Sequence, residues 1–378
     1  MKKLRLVPVE DQGKKGPQRG QDVYVAIDLS RRKWVYGLRW GGECRRRWSS
    51  PAGLEHVQAV VKEYHGCRLH VVYEACGFGY EIAWWLEEQP EVEVTVIAPS
   101  RVARVPGPRV KTDGTDVREM ACKLEGNQLK GIFIPRRPEH QRRQLSRTYA
   151  QVMKECKRAR VRLRSLLQEQ GLLGPEPKLG WAAYQRWLTR QDLAPPVALC
   201  VRELLGVREA ARHSAACLKQ AILDLTAQPE YRAVVEALSE QPGVGAFTAM
   251  RFVLEVGEVR RFATADSIAH YLGLTPSQYS SGPIDHRGHV LKASLGSVRG
   301  WMVQCAWASL DSDVALTRCF ERLAPRIGRK RAIVAVARRL SVRLRARWLE
   351  VLRPQVPEFP PAAAPGCVGA ALPPPLAS

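Results

Sequence analysis

Two rhythms of apolar positions run through the first part of the chain. Short blocks rich in Val, Ile, Tyr and Trp, "VYVAIDLS" (residues 23–30), "KWVYGLRW" (33–40), "RLHVVYEA" (68–75) and "VEVTVIAPS" (92–100), have the length and residue types of strands. The first two are joined by a tight basic turn, which predicts a hairpin, and "ECRRRWSS" (43–50) predicts a third strand beside it. Between the later blocks, "GLEHVQAVVKEYH" (53–65) and "GYEIAWWLEEQ" (79–89) repeat at helical spacing. A third helix is marked by Val117, Met120, Ala121 and Leu124, which share one helical face. The predicted order is three strands, helix, strand, helix, strand, helix. Such an alternation implies a mixed sheet covered by helices.

Acidic residues interrupt this pattern where an apolar face is expected. Asp113 and Asp116 in "KTDGTDVREM" stand four residues before Val117 and Met120, on the stripe that should turn inward. Helix capping and the helix dipole account for many such pairs. Two further acids close strands, Asp28 at the end of the first and Glu74 at the end of the fourth. That strand order with acids at these ends is the plan of a ribonuclease-H-like α/β fold. If the first and fourth strands are neighbours, all four carboxylates meet at one edge of the sheet. Four carboxylates stay ionised together only when a cation neutralises them. The expected cofactor is Mg²⁺, as two ions roughly 4 Å apart that clamp the attacking and leaving oxygens of a phosphodiester, with Mn²⁺ as a substitute. Arg109 and Lys111 flank the acids and are candidate nucleic-acid contacts.

Beyond Ile134 the composition turns basic. "PRRPEHQRRQLSRTYAQVMKECKRARVRLRSLLQEQG" is predicted helical from about His140, with Leu145, Tyr149, Met153, Val161, Leu163 and Leu167 as an imperfect apolar stripe. Arg142, Arg143, Arg147, Lys154, Lys157 and Arg158 are its candidate phosphate contacts. Helical spacing resumes at 181–190 and 197–225, so residues 136–234 read as a helical hairpin or coiled coil, also suited to oligomerisation. Residues 171–196 receive no role. In "ALSEQPGVGAFTAMRFVLEVG" a Pro-Gly turn between helices resembles a helix–hairpin–helix, whose Gly243 and Gly245 would let backbone N–H groups approach a phosphate. The Ser-, Gly- and His/Arg-rich stretch 277–288 reads as a long, function-bearing loop, with Arg287 and Lys292 as nearby cations. Helices close residues 313–352. The tails, 1–21 and 353–378, read as disordered.

Composition narrows the partners. The chain has 378 residues, 25% of them charged, with a formal net charge of +22. So large an excess points to polyanions, above all nucleic acid. No apolar run reaches membrane-spanning length and the N-terminal stretch lacks the apolar core of a signal peptide, so a cytoplasmic chain without membrane contacts is expected. Ten cysteines are scattered without a CxxC pair or zinc spacing, and read as reduced, mostly buried thiols.

Together, "VAIDLS", "YEACGFGY", "VKTDGTDV", "PGVGAFTA", "RFATADSIAHYLGLTPSQYSSG", "RGHVLK" and "GRKRAIVAVARRL" resemble the IS110/IS1111 family of insertion-sequence transposases, from about Tyr24 to Leu352. The resemblance implies a RuvC-like catalytic domain at 22–135 with a DEDD set matched by Asp28, Glu74, Asp113 and Asp116. It further implies a mainly α transposase domain at 235–352 whose nucleophilic serine is best matched by Ser281, with Ser280 adjacent. A structured bridge RNA that pairs with donor and target DNA is implied as partner, as is a homo-oligomer built from dimers into a tetramer, acting in a prokaryotic cytoplasm at the nucleoid. "LKASLGS" departs from the family's usual "GN" after the lysine. Two other readings share these acids or this charge: a metal-dependent Holliday-junction nuclease without a covalent step, and a non-catalytic nucleic-acid-binding protein.

Overall fold

The structure, a computed structural model, describes residues 16–98, 113–175, 180–281, 284–290 and 296–353, with backbone alone for 113–115, 276–281, 284–290 and 296–297. The chain divides into two compact units, Met1–Arg142 and Arg143–Ser378.

The first unit holds a five-stranded sheet in the order β3-β2-β1-β4-β5. Its strands are β1 (Asp22–Leu29), β2 (Lys33–Trp40), β3 (Glu43–Pro51), β4 (Arg68–Glu74) and β5 (Val92–Ile97). The short turn 30–32 makes β1 and β2 an antiparallel pair, and β3 returns antiparallel to β2. Helix α1 (Leu54–Glu63) carries the chain over to β4, which lies parallel to β1, and α2 (Glu81–Glu87) carries it on to β5. The first and fourth strands are therefore neighbours, as the acid positions required.

Strand alternation sorts the sheet into two faces. Val23, Val25, Ile27, Tyr36, Leu38, Val71 and Tyr73 pack with Val57 and Val60 of α1 and Ile82, Ala83 and Leu86 of α2. The residues between them, Ala26, Val35, Val72 and Ile97, pack with Val117, Met120 and Ala121 of α3 (Asp113–Glu125). A sheet buried on both faces explains the near-continuous apolar runs of β1 and β4. Burying Val117 and Met120 contributes about 2 kcal/mol each and holds α3 to its face.

The second unit is mostly helical. It contains most of α4 (Arg137–Glu169), then α5 (Gly180–Leu188), α6 (Pro195–Leu225), α7 (Pro229–Ser239), α8 (Ala246–Val256) and α9 (Ala265–Tyr271). A two-stranded antiparallel sheet, β6 (Pro276–Ser281) and β7 (Ile284–Val290), precedes α10 (Gly296–Ser309), α11 (Val314–Ile327) and α12 (Arg329–Val351). Helices α7 to α12 share one core that includes Leu238, Met250, Phe252, Met302, Leu316, Val336 and Leu340.

Several expectations are corrected. Residues 277–288 are not one long loop, because most of them pair as β6 and β7; backbone pairing needs no apolar residues, so composition hid it. The apolar stripe of α4 changes face along the helix. Its start packs on the α8 region through Leu145 and Tyr149, and its end packs on α5 and α6 through Leu163 and Leu167, leaving Met153 42% and Val161 55% exposed. The helical spacing at 181–190 does form a helix, α5, in which Tyr184 stacks on Trp181 and meets Trp187 at a tilt, packed against that second half. Among the nine described cysteines only Cys67, Cys305 and Cys319 are buried, so the thiols are not mostly interior. No helix of the described residues is long and apolar enough to cross a membrane.

Candidate catalytic site

Register places the strand-end acids. Ile27 pairs with Tyr73 across the parallel β1–β4 ladder, and Asp28 and Glu74 are the next residue on each strand. Asp28 lies opposite Val35 on β2, and Glu74 opposite Ile97 on β5. Val35 and Ile97 both belong to the cluster under α3, and opposed residues share a face. Both carboxylates therefore leave the sheet on the α3 side, each half-buried.

The direction of α3 brings its own acids to the same end. Val117 lies over Gly37, where a Cβ would stand 3.0 Å from the Val117 carbonyl oxygen, and Gly37 pairs with Ala26. Glu125, at the far end of the helix, pairs with Arg39, which lies opposite Tyr24. The helix thus runs from the Asp28 end of β1 toward the Tyr24 end, and its first turn, with Asp113 and half-buried Asp116, lies at the acid end. The Asp113 carboxyl is outside the described side chains.

The half-buried carboxylates of Asp28, Glu74 and Asp116 are hard oxygen donors of the kind that suits Mg²⁺. Among the described residues no three His, Cys, Asp or Glu side chains already form a group able to hold a metal ion. Asp28, Glu74 and Asp116 are thus drawn to one end of the face without closing around a common centre. Arg31 and Arg32, exposed in the turn three and four residues after Asp28, add positive charge at that edge. The run of basic residues in a hairpin turn was the sequence signal for them. Arg109 and Lys111 lie outside the described residues.

In the second unit, Ser281 ends β6 in register with Ile284, and Ser280 pairs with Asp285. Arg287 pairs with Gln278, whereas Lys292 lies outside the described residues. The turn between α7 and α8 separates the roles of its two glycines. Gly243 has φ +80°, and a Cβ there would meet Ser309 Oγ at 2.5 Å and the Cys305 carbonyl oxygen at 2.6 Å. That glycine is required by the close approach of α10. Ser309 Oγ also donates to the Pro242 carbonyl at 2.6 Å, which pins the turn. Gly245 is the N-cap of α8, with open space beside it.

The description "Transposase IS116/IS110/IS902 family" belongs to the family profile that matches residues 235–319, a stretch that includes the β6–β7 hairpin and both serines. The chain is 26% identical over 346 residues to "Putative transposase y4qE" of Sinorhizobium fredii, covering 87% of this chain and 81% of that protein. It is 25% identical to "Putative transposase y4rJ" of the same organism, over 85% of this chain and 90% of that one. Over 85 residues it is 33% identical to the "Insertion element IS110 uncharacterized 43.6 kDa protein" of Streptomyces coelicolor, 22% of this chain and 21% of that protein. The chain thus resembles transposases of the IS116/IS110/IS902 family, through this profile over 235–319 and through relatives named putative transposases over most of its length.

The basic helix α4 has two kinds of cation. Lys154, Lys157 and Arg158 are exposed, Arg158 beside Glu155 at 2.5 Å, a surface pair of small energetic weight. Arg142 is half-buried. Arg143 does not face outward as its place in the basic run suggested. It is 5% exposed, and its Nε donates to the Leu254 carbonyl at 2.8 Å. Arg147 reaches the buried Glu255 carboxylate at 3.6 Å. Beside them Arg251 lies among the rings of Tyr149, Phe247 and Trp301, and burial pulls its pKa below the ordinary arginine value. Arg143 and Arg147 thus anchor the helix within the second unit, while Lys154, Lys157 and Arg158 lie exposed on its later turns.

Proposed function

We propose that this chain is a transposase that cuts and rejoins DNA strands to move its element, with Asp28, Glu74, Asp113 and Asp116 as an Mg²⁺-holding set and Ser281 as nucleophile. One observation carries the reading most directly. Asp28 and Glu74 follow the last paired residues of two adjacent parallel strands, on the face covered by α3, whose first turn bears the other two acids. The strand order with β1 beside β4 supports a ribonuclease-H-like account of that unit.

A divalent ion bound there would supply Lewis-acid polarisation of the phosphodiester. The chain's own part is separate. Serine is a weak nucleophile at neutral pH, and its attack forms an Oγ–phosphorus bond as one phosphorus–oxygen bond to deoxyribose breaks. The serine proton passes to a base, and the leaving oxygen gains one. Asp285, His286, Arg287 and His289, on the strand after Ser281, are the groups nearest in sequence for proton transfer and charge stabilisation.

The reading includes guidance by a structured bridge RNA, for which the net charge of +22 and the exposed cations of α4 are the support, and, from the family resemblance alone, assembly of dimers into a tetramer. Two parallel measurements test it: sequencing of RNA that copurifies with the protein, and cleavage of element-end DNA with Mg²⁺, Mn²⁺ or EDTA. One abundant structured RNA and cleavage abolished by EDTA are expected. Random RNA fragments would remove the guide, and EDTA-resistant cleavage would remove the metal.

A further inference from the structure

The turn between α11 and α12 concentrates charge that the fold does not use. From Arg318 to Arg331 there are six cations, Arg318, Arg322, Arg326, Arg329, Lys330 and Arg331, against the single acid Glu321. All six are exposed. Arg318, Arg322 and Arg326 follow one another at i, i+4 and i+8, so they share a helix face on which like charges repel. Arg329, Lys330 and Arg331 form the first turn of α12, where the positive end of the helix dipole disfavours cations. That turn holds no acid, and its N-cap, Gly328, supplies no side-chain hydrogen bond.

The rest of α12 shows what structural arginines look like in this protein. Arg338 pairs with Asp266 at 2.6 Å, Arg343 with Asp313 at 2.6 Å and Arg347 with Glu240 at 2.5 Å, and Arg345 donates to the Phe262 carbonyl at 2.6 Å. Arg329 is held over the rings of Trp307 and Phe320. The side chains of Arg318, Arg322, Arg326, Lys330 and Arg331 make no ion pair or hydrogen bond with the described residues. Apart from exposed Arg339, the later arginines of α12 named here are partnered, whereas uncompensated cations cluster at its start. Such an arrangement weakens the isolated chain slightly and gains only when an anion with several charges arrives.

We propose that the α11–α12 turn is a docking site for the phosphodiester backbone of a nucleic acid, recognised by charge and not by base identity. The backbone N–H groups at the start of α12 add donors to the cations around them. The proposal rests on the reading of the chain as a nucleic-acid-processing transposase. It adds a binding surface distinct from the acids, the serine hairpin and the α4 cations.

The test compares the full chain with the variant R326Q/K330Q/R331Q and with a control, K62Q/R202Q/R232Q, that removes equal charge from exposed sites on α1, α6 and α7. Affinity for a short DNA duplex and for a structured RNA hairpin is measured across a salt series, with circular dichroism confirming the fold. The turn variant should bind roughly tenfold more weakly near 0.1 M salt, with a salt slope shallower by about 2–3 on duplex DNA, since each phosphate no longer neutralised lowers the slope by about 0.9. The control should move far less. A weakening on one polymer alone identifies which of the two the turn holds. Wild-type affinity and slope in the turn variant on both polymers would overturn the proposal while leaving the transposase reading intact. An equal weakening in the control would overturn it by showing that only total charge matters. A wild-type chain that binds neither polymer would sink both.

Discussion

Gly37 of β2 and Val117 of α3 approach so closely that a Cβ on Gly37 would lie 3.0 Å from the Val117 carbonyl oxygen and 3.1 Å from its Cβ. This approach sets the height of α3 above the sheet, and with it the height of Asp116 above Asp28 and Glu74. Overpacking of this kind costs about 1–3 kcal/mol. Gly37→Ala should therefore lower thermal stability by that amount and displace α3, reducing metal-dependent cleavage beyond what the stability loss explains. A Gly37→Ala protein with wild-type melting temperature and cleavage would show that the helix tolerates the added methyl without moving the acids.

The acids themselves should behave in the opposite way. Asp28→Asn, Glu74→Gln and Asp116→Asn each remove a charge from a half-buried end of the sheet while keeping the shape. Cleavage should fall by orders of magnitude, and the melting temperature without metal should hold or rise, since carboxylate repulsion is relieved. Near wild-type cleavage by Asp116→Asn would return that residue to the role of a first-turn helix acid.

Cations of α4 should separate by position. Arg143→Ala strips a buried donor from the Leu254 carbonyl and should cost about 2–4 kcal/mol, with nucleic-acid binding changed only through impaired folding. Lys154→Ala and Lys157→Ala should leave stability within about 0.5 kcal/mol and make the salt dependence of binding shallower. Thermal melts and a salt titration on the same variants distinguish the two classes.

Asp313 gives the second unit an acid-sensitive joint. It caps α11 by accepting from the Leu316 N–H, and it also accepts from Gln241 and Arg343. Burial alone would raise its pKa, but the Leu316 amide, Gln241 and Arg343 outweigh it and hold the carboxyl below the ordinary aspartate value. The unfolded chain then binds a proton more readily than the folded one. The stabilisation is fully present above the unfolded value, about pH 4, and is lost as pH falls through the folded one. Asp313→Ala should cost about 1–2 kcal/mol at pH 7 and flatten the loss of stability below about pH 4. An unchanged acid limb in the variant would assign that limb to other carboxylates.

Much of the first unit was legible because its residues obey one rule. Val, Ile and Tyr alternate between two buried faces in β1 and β4, and the interruptions at Asp28 and Glu74 stand out against them. The inward stripe of α3 was legible for the same reason, since Val117, Met120 and Ala121 have one partner surface. Helix α4 misled because it serves two partners. Arg143 and Ser146 are buried at its start, and Leu163 and Leu167 at its end, on different faces. The β6–β7 hairpin left no signal in "PSQYSS" or "IDHRGHV", whose mostly polar residues nonetheless form a backbone ladder. Gly243 was expected to admit a phosphate, yet its closest neighbours are Ser309 and Cys305, a tertiary contact that no local pattern encodes.

The central claim, a metal-assisted transposase with a serine nucleophile, is tested most directly by trapping the covalent step. Protein, copurified RNA, Mg²⁺ and end-labelled element DNA are incubated, denatured and resolved. Wild type should carry label as a phosphoserine adduct, Asp116→Asn should form none, and Ser281→Ala should form none while still binding DNA. Adduct formation by Ser281→Ala would move the nucleophile elsewhere, with Ser280 first to examine. Cleavage by wild type without any adduct would contradict the account and favour a metal nuclease that hydrolyses the strand with water.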